Sequence, residues 1–288
     1  MGALPSIEPL AAPMGAVVRA VDFAALTDEV VDHVRAALAQ HHVLVFRGHE
    51  QPTDAQLFAF ASALGTVLID NITPEFKRPG FPGIGIMSNI VENGRPIGST
   101  GSREVDWHTD YSFREQVSRI LFLDAVEVPK RGGNTYFSDM YAALETLSPE
   151  LRTQLEEMDV VHTLKYDDEV HGEYVEHARH PAVITNPDTG RRALYLSPGF
   201  HPRYPDVSED ESADLVRRLT AWATDERFVY RHDWQVGDLV MWDSIGTDHR
   251  RDGFDADDRR YMRKMSMLVE DASAPWSRPV RGEVGASR

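Results

Sequence analysis

The stretch VDWHTDYSF, residues 105–113, sets a histidine and an aspartate two residues apart among aromatic side chains. On a strand, residues i and i+2 project to the same face, so the His108 imidazole and the Asp110 carboxylate could converge on one divalent metal. A second histidine from a distant strand would complete a face of two histidines and one carboxylate. Such a face leaves open positions, which suits non-haem Fe(II) and O2 chemistry. The pair alone is weak evidence. With 12 histidines and 46 acids in 288 residues, about two His-x-Asp/Glu pairs arise by chance, and the chain has two. His171/Glu173 lies in a charged, aperiodic stretch and reads as a solvated pair. His108/Asp110 lies among Trp107, Tyr111 and Phe113, which offer the dry walls a reactive centre needs.

The best source of a third ligand is WQVGDLVMWDSIGTDHRRDGF. There an apolar strand and a turn lead to His249. Beyond it, residues 258–269, DRRYMRKMSMLV, read as a strand whose alternation sets Arg260, Met262, Lys264 and Ser266 on one face. If that face points inward, its cations need an anionic partner, because a buried unpaired charge is costly. A dicarboxylate held at the metal would be one.

The rest of the chain must position these residues. Residues 26–42 carry apolar side chains at helical spacing, Val30, Val34, Ala37 and Leu38. HVLVFRG then reads as a short buried strand. Residues 53–65 open on the capping-box pair Thr53 and Gln56 and stop at Gly65, a second helix. From Pro79 onward, short apolar runs alternate with Gly, Pro, Asn and Asp, the texture of a barrel or double-sheet jelly roll. Helices are expected over 140–158 and 208–225, the second opened by Ser208 and Glu211. Residues 166–180 read as a polar surface loop that could act as a lid. The expected organisation is one domain: αβα elements over 1–78, a core with helical insertions over 79–271 and a flexible tail over 272–288.

Composition removes several chemistries. There is no cysteine, so disulfides, thiolate nucleophiles and iron–sulfur clusters are excluded, and any metal must be held by His, Asp or Glu. A formal charge of -16 argues against nucleic acid and against an anionic membrane surface. The absent cysteines and the lack of a secretory pattern fit the cytoplasm. The first six residues match the loose N-myristoylation pattern, read here as a chance match.

Taken together, WHTD, GGNTYFSD, GDLVMWDSIGTDH and the arginine eleven residues beyond His249 resemble the taurine dioxygenase/TfdA family of Fe(II)- and 2-oxoglutarate-dependent dioxygenases. The resemblance runs over residues 15–269. It implies a mostly β fold with flanking helices, the double-stranded β-helix or jelly roll. It implies Fe(II) on His108, Asp110 and His249. It also implies 2-oxoglutarate with its far carboxylate on Arg260 and Thr135, and O2 as the oxidant. Because Asp110 is present, hydroxylation is expected rather than halogenation, with succinate and CO2 released. Desaturation or oxidative decarboxylation of an amino-acid-derived molecule in secondary metabolism is the alternative. The family's Asn-Arg after Trp-Asp is Ser244-Ile245 here, and an arginine often used to grip substrate is Lys264, a point charge without the bidentate fork. Candidate substrate residues are Tyr111, Lys264, Asp70, Asn71 and Lys165, for a small polar molecule bearing a carboxylate or amine. By analogy with relatives a homo-oligomer is admitted. Two other classes stay open on the residues alone, a zinc hydrolase and a non-catalytic jelly-roll binding protein.

Overall fold

The computed structural model describes residues 4–69, 73–168 and 172–269. Two short strands, β1 (Ser6–Pro9) and β2 (Ala16–Arg19), lead to α1 (Asp28–His41), β3 (Val43–Phe46) and α2 (Asp54–Leu64). Then come β4 (Lys77–Arg78), β5 (Phe81–Ser88) and a small ribbon, β6 (Val91–Glu92) with β7 (Arg95–Pro96). β8 (Val105–His108), β9 (Ser118–Glu127) and β10 (Thr135–Asp139) precede α3 (Met140–Glu145) and α4 (Pro149–Glu156). Two hairpins follow, β11 (Asp159–Asp168) with β12 (Gly172–Pro181) and β13 (Val183–Thr185) with β14 (Arg192–Leu194). After α5 (Glu209–Ala223) the chain closes with β15 (Val229–His232), β16 (Leu239–Asp243), β17 (Thr247–Arg251) and β18 (Tyr261–Leu268).

The strands form an eight-stranded sheet, ordered β1-β2-β3-β16-β9-β18-β5-β4, and a four-stranded sheet, ordered β15-β10-β17-β8. Strand alternation sorts the core into two layers. One face of the large sheet sends Leu44, Phe46, Phe122, Met241, Met265 and Met267 against α1 and α2. The other sends Val43, Val45, Leu121, Leu123, Val240, Trp242 and Met262 onto Phe137 of the small sheet. Each fully buried large side chain contributes roughly 1.5–3 kcal/mol by leaving water. The site lies within this inter-sheet layer.

The helix starts follow their caps. Thr27 Oγ1 accepts from Val30 N at 3.3 Å, and Thr53/Gln56 and Ser208/Glu211 both close reciprocal capping boxes. On α1 the buried face takes Val31 in place of the expected Val30. Two other expectations are corrected. The single helix over 140–158 is two, because Ser148 caps a new helix with Pro149 at its first position. The described residues of the polar stretch 166–180 are strand: β11 and β12 pair along their whole length. Its candidate metal pair includes His171, which lies outside the described residues, as do Asp70, Asn71, residues 1–3 and the tail. Among the described residues, no helix is long and apolar enough to cross a membrane.

Candidate functional site

β8 and β17 are antiparallel neighbours, and His108 is the register partner of His249. The hydrogen-bonded ladder therefore brings the two imidazoles together, with ring centroids 4.2 Å apart. Asp110 does not continue the strand, as its spacing suggested. β8 ends at His108, and the chain turns, with Tyr111 at φ 62. That turn still aims the Asp110 carboxylate at the pair. His108 Nε2 is 3.8 Å from Asp110 Oδ1, and His249 Nε2 is 3.6 Å from Asp110 Oδ2. One ligand atom from each residue lies within 4.8 Å of the others.

The surroundings fix the chemical state of these groups. His108 Nδ1 sits 2.7 Å from the Asp106 carbonyl. Assigning the proton to Nδ1 leaves Nε2 with its lone pair facing the cluster. Burial holds the His249 ring well below its usual pKa, so it is neutral as a ligand must be. Burial alone would raise Asp110, but the Lys264 charge, then His249 and His108, hold it well below the usual carboxylate range. Thr109 Oγ1 donates to Asp248 Oδ1 at 2.6 Å, tying the segment before Asp110 to the residue before His249.

A cavity of about 80 Å³ opens on this cluster. Its apolar walls are Met87, Val105, Leu123 and Trp242; its polar lining adds Thr100, Thr135, Arg251, Arg260 and Lys264. Arg260 is 3% exposed, and its Nε has no hydrogen-bond partner. Burial, with the nearby Arg251 charge, lowers the Arg260 guanidinium to about 9. A buried, unpaired guanidinium is costly, so this end of the cavity is built for an anion. Thr135 Oγ1 accepts from the Trp234 indole at 3.0 Å. Its own hydroxyl proton is therefore available to a ligand.

The structure thus brings together His108, Asp110, His249, Thr135, Arg260 and Lys264. Lys264 is not free: its Nζ donates to Asp110 Oδ1 at 2.8 Å and lies 5.1 Å from the centre of the Tyr111 ring. Tyr111 is thereby beside the site, though not in the cavity lining. Lys165 is exposed on the β11–β12 hairpin and apart from that lining. Arg251 was missed. Strand alternation sets it on the same face as His249, two residues before it, but its meeting with Arg260 is not visible in a local window.

The sequence pattern of the family described as "Taurine catabolism dioxygenase TauD, TfdA family" matches residues 6–266. The chain is 38% identical to pentalenolactone F synthase of Streptomyces arenae, over 92% of this chain and 95% of that protein. It is 31% identical to an alpha-ketoglutarate-dependent 2,4-dichlorophenoxyacetate dioxygenase of a Burkholderia species, over 85% and 87%. A crystal structure of a taurine dioxygenase from Burkholderia xenovorans superposes with a TM-score of 0.79 at 28% identity, covering 92% of this chain and 90% of that one.

Proposed function

Since the chain belongs to the TauD/TfdA family and is an alpha-ketoglutarate-dependent dioxygenase, we propose that His108, Asp110 and His249 hold Fe(II), and that Thr135 and Arg260 hold 2-oxoglutarate. The family membership supersedes the zinc-hydrolase and binding-protein readings. The two facing sheets are read as the double-stranded β-helix. The donor set fits the metal: two imidazoles and one carboxylate leave open positions for a chelating cosubstrate and O2. Iron bound there supplies the O2 activation that converts 2-oxoglutarate to succinate and CO2 and oxidises an unactivated C–H bond of the substrate.

The chain's own residues do the rest. His108 Nδ1, fixed by the Asp106 carbonyl, keeps Nε2 turned to the metal. Arg260 pairs with the distal carboxylate, a charge-assisted contact, while Thr135 donates its hydroxyl proton to the same group. Met87, Val105, Leu123 and Trp242 keep bulk water from the reacting carbon. The observation that carries this reading is the unpartnered, buried Arg260 guanidinium in the same cavity as the three ligands.

Hydroxylation of a small molecule is the outcome favoured by an intact Asp110. The expected carboxylate- or amine-bearing substrate rested on Asp70, Asn71 and Lys264. The first two lie outside the described residues, and Lys264 is bound to Asp110. What the cavity itself offers a substrate is mostly apolar wall. The similarity to pentalenolactone F synthase supports the secondary-metabolism part of the alternative, and not its desaturation or decarboxylation of an amino-acid-derived substrate.

Anaerobic titration of the metal-free protein with Fe(II) and 2-oxoglutarate tests the assignment. A visible metal-to-ligand charge-transfer band should form. It should be lost in His249→Ala, and in Arg260→Met it should require far more 2-oxoglutarate with metal affinity unchanged. No band in the wild type would remove the reading.

A further inference from the structure

The cavity holds one more cation than the assignments above use. Lys264 is matched by Asp110, and Arg260 by the distal carboxylate. Arg251 has no acidic partner among the described residues, although it is only 7% exposed and lines the same cavity. Its register partner across the β10–β17 ladder is Thr135, so it stands at the Thr135 end of the cavity. It is also the charge that acts on Arg260. Two of its three nitrogens are committed: Nη1 donates to the Gly101 carbonyl at 3.1 Å and Nη2 to the Arg103 carbonyl. The third, Nε, is buried without a partner. Two neutral carbonyls satisfy hydrogen bonds but do not compensate a buried charge.

We infer that Arg251 is a second arginine of the cosubstrate pocket. Its Nε–H binds the distal carboxylate that Arg260 and Thr135 also face, while its two Nη groups fasten the 101–103 segment over that end. The inference rests on the assignment of 2-oxoglutarate to this cavity. A pair of guanidinia plus a hydroxyl provides enough donors for both oxygens of a carboxylate. It selects a 2-oxo acid with a second carboxylate over one without. Next to the segment that Arg251 fastens is Thr100, whose hydroxyl is buried, lines the cavity and has no partner. Arg251 thus couples occupancy of the anion end to the position of Thr100.

The test uses the full chain loaded with Mn(II) in the absence of O2, so that turnover cannot interfere with binding. Affinity is measured calorimetrically for 2-oxoglutarate and for 2-oxovalerate, which keeps the chelating end and lacks the distal carboxylate. Variants are Arg251→Gln and Arg251→Lys, with Mn(II) affinity measured in parallel. The expected result is that Arg251→Gln weakens 2-oxoglutarate by about ten-fold or more, the loss of one charge-assisted bond, and 2-oxovalerate by less than about two-fold. Arg251→Lys keeps the charge but cannot serve two carbonyls and a carboxylate, and should fall between. If the Gln variant does not fold, the Lys variant decides by the same ratio. Equal weakening of both acids, or a parallel loss of Mn(II) affinity, would reduce Arg251 to a strut for its loop and overturn the inference. Unchanged 2-oxoglutarate affinity would do the same. Failure of the wild type to bind 2-oxoglutarate at all would instead overturn the cosubstrate assignment on which it stands.

Discussion

Under the proposed assignment, Lys264 and a metal ion compete to neutralise the same carboxylate. Asp110 is 15% exposed at its side chain and its Oδ1 is bound by Lys264 Nζ. In metal-free protein, Lys264→Met leaves that charge without its cation and should destabilise the fold by about 2 kcal/mol. This is below the 3–5 kcal/mol of a fully buried pair because some solvent reaches the site. A divalent ion then restores the missing charge. The rise in Tm on adding Mn(II) should therefore be larger in Lys264→Met than in the wild type; an equal or smaller rise would show that the ion pair contributes nothing. At this scale the cluster of His108, Asp110 and His249 was legible because metal-ligand chemistry restricts residue type and spacing. The partners were not. That Lys264 reaches Asp110 depends on a turn after β8, and that Arg251 shares a cavity with Arg260 depends on two sheets meeting. Neither is a property of a local window.

Elements deliver these side chains only if their turns close. Asp243, at the end of β16, accepts from Ile245 N at 3.0 Å and Gly246 N at 3.3 Å, and from the Tyr141 hydroxyl at 2.5 Å. This turn hands the chain to β17 and so to His249. A Cβ on Gly246 would run into the Tyr141 ring. Gly246→Ala should thus cost about 1–3 kcal/mol and weaken metal binding although no ligand is touched. Intact Mn(II) affinity in that variant would separate the turn from the site. The helix starts were readable because capping is local. The β11–β12 hairpin was not, since its alternation buries histidines: His162 and His180 are 0% and 1% exposed, so polar residues fill places where apolar ones announce a strand. The break between α3 and α4 was signalled by Ser148-Pro149, which the continuous apolar spacing across it obscured.

Across the whole molecule, those buried histidines set an acid limit. Burial lowers His42 from 6.5 to about 4 and His162 from 6.5 to about 3. The unfolded chain takes up these protons near 6.5 and the folded chain does not. Their contribution is complete above that value and is lost as pH falls through 6.5 toward 4, at about 1.4 kcal/mol per pH unit for each group. Tm should drop through this window. His42→Asn, which keeps a residue suited to the left-handed cap at φ 63, should flatten the slope; an unchanged slope would exclude His42 as a cause. The general architecture was readable from many short strands, whereas the pairing of sheets was not, because strand order is fixed by contacts remote in sequence. The register pairing of His108 with His249 shows what this means for change over time. The loops between these two histidines can lengthen or shorten without moving one ring relative to the other. A single residue inserted within β17 would instead replace His249 with its neighbour on the opposite face. The centre thus tolerates changes of length in the distant loops and not within β8, the turn that carries Asp110, or β17.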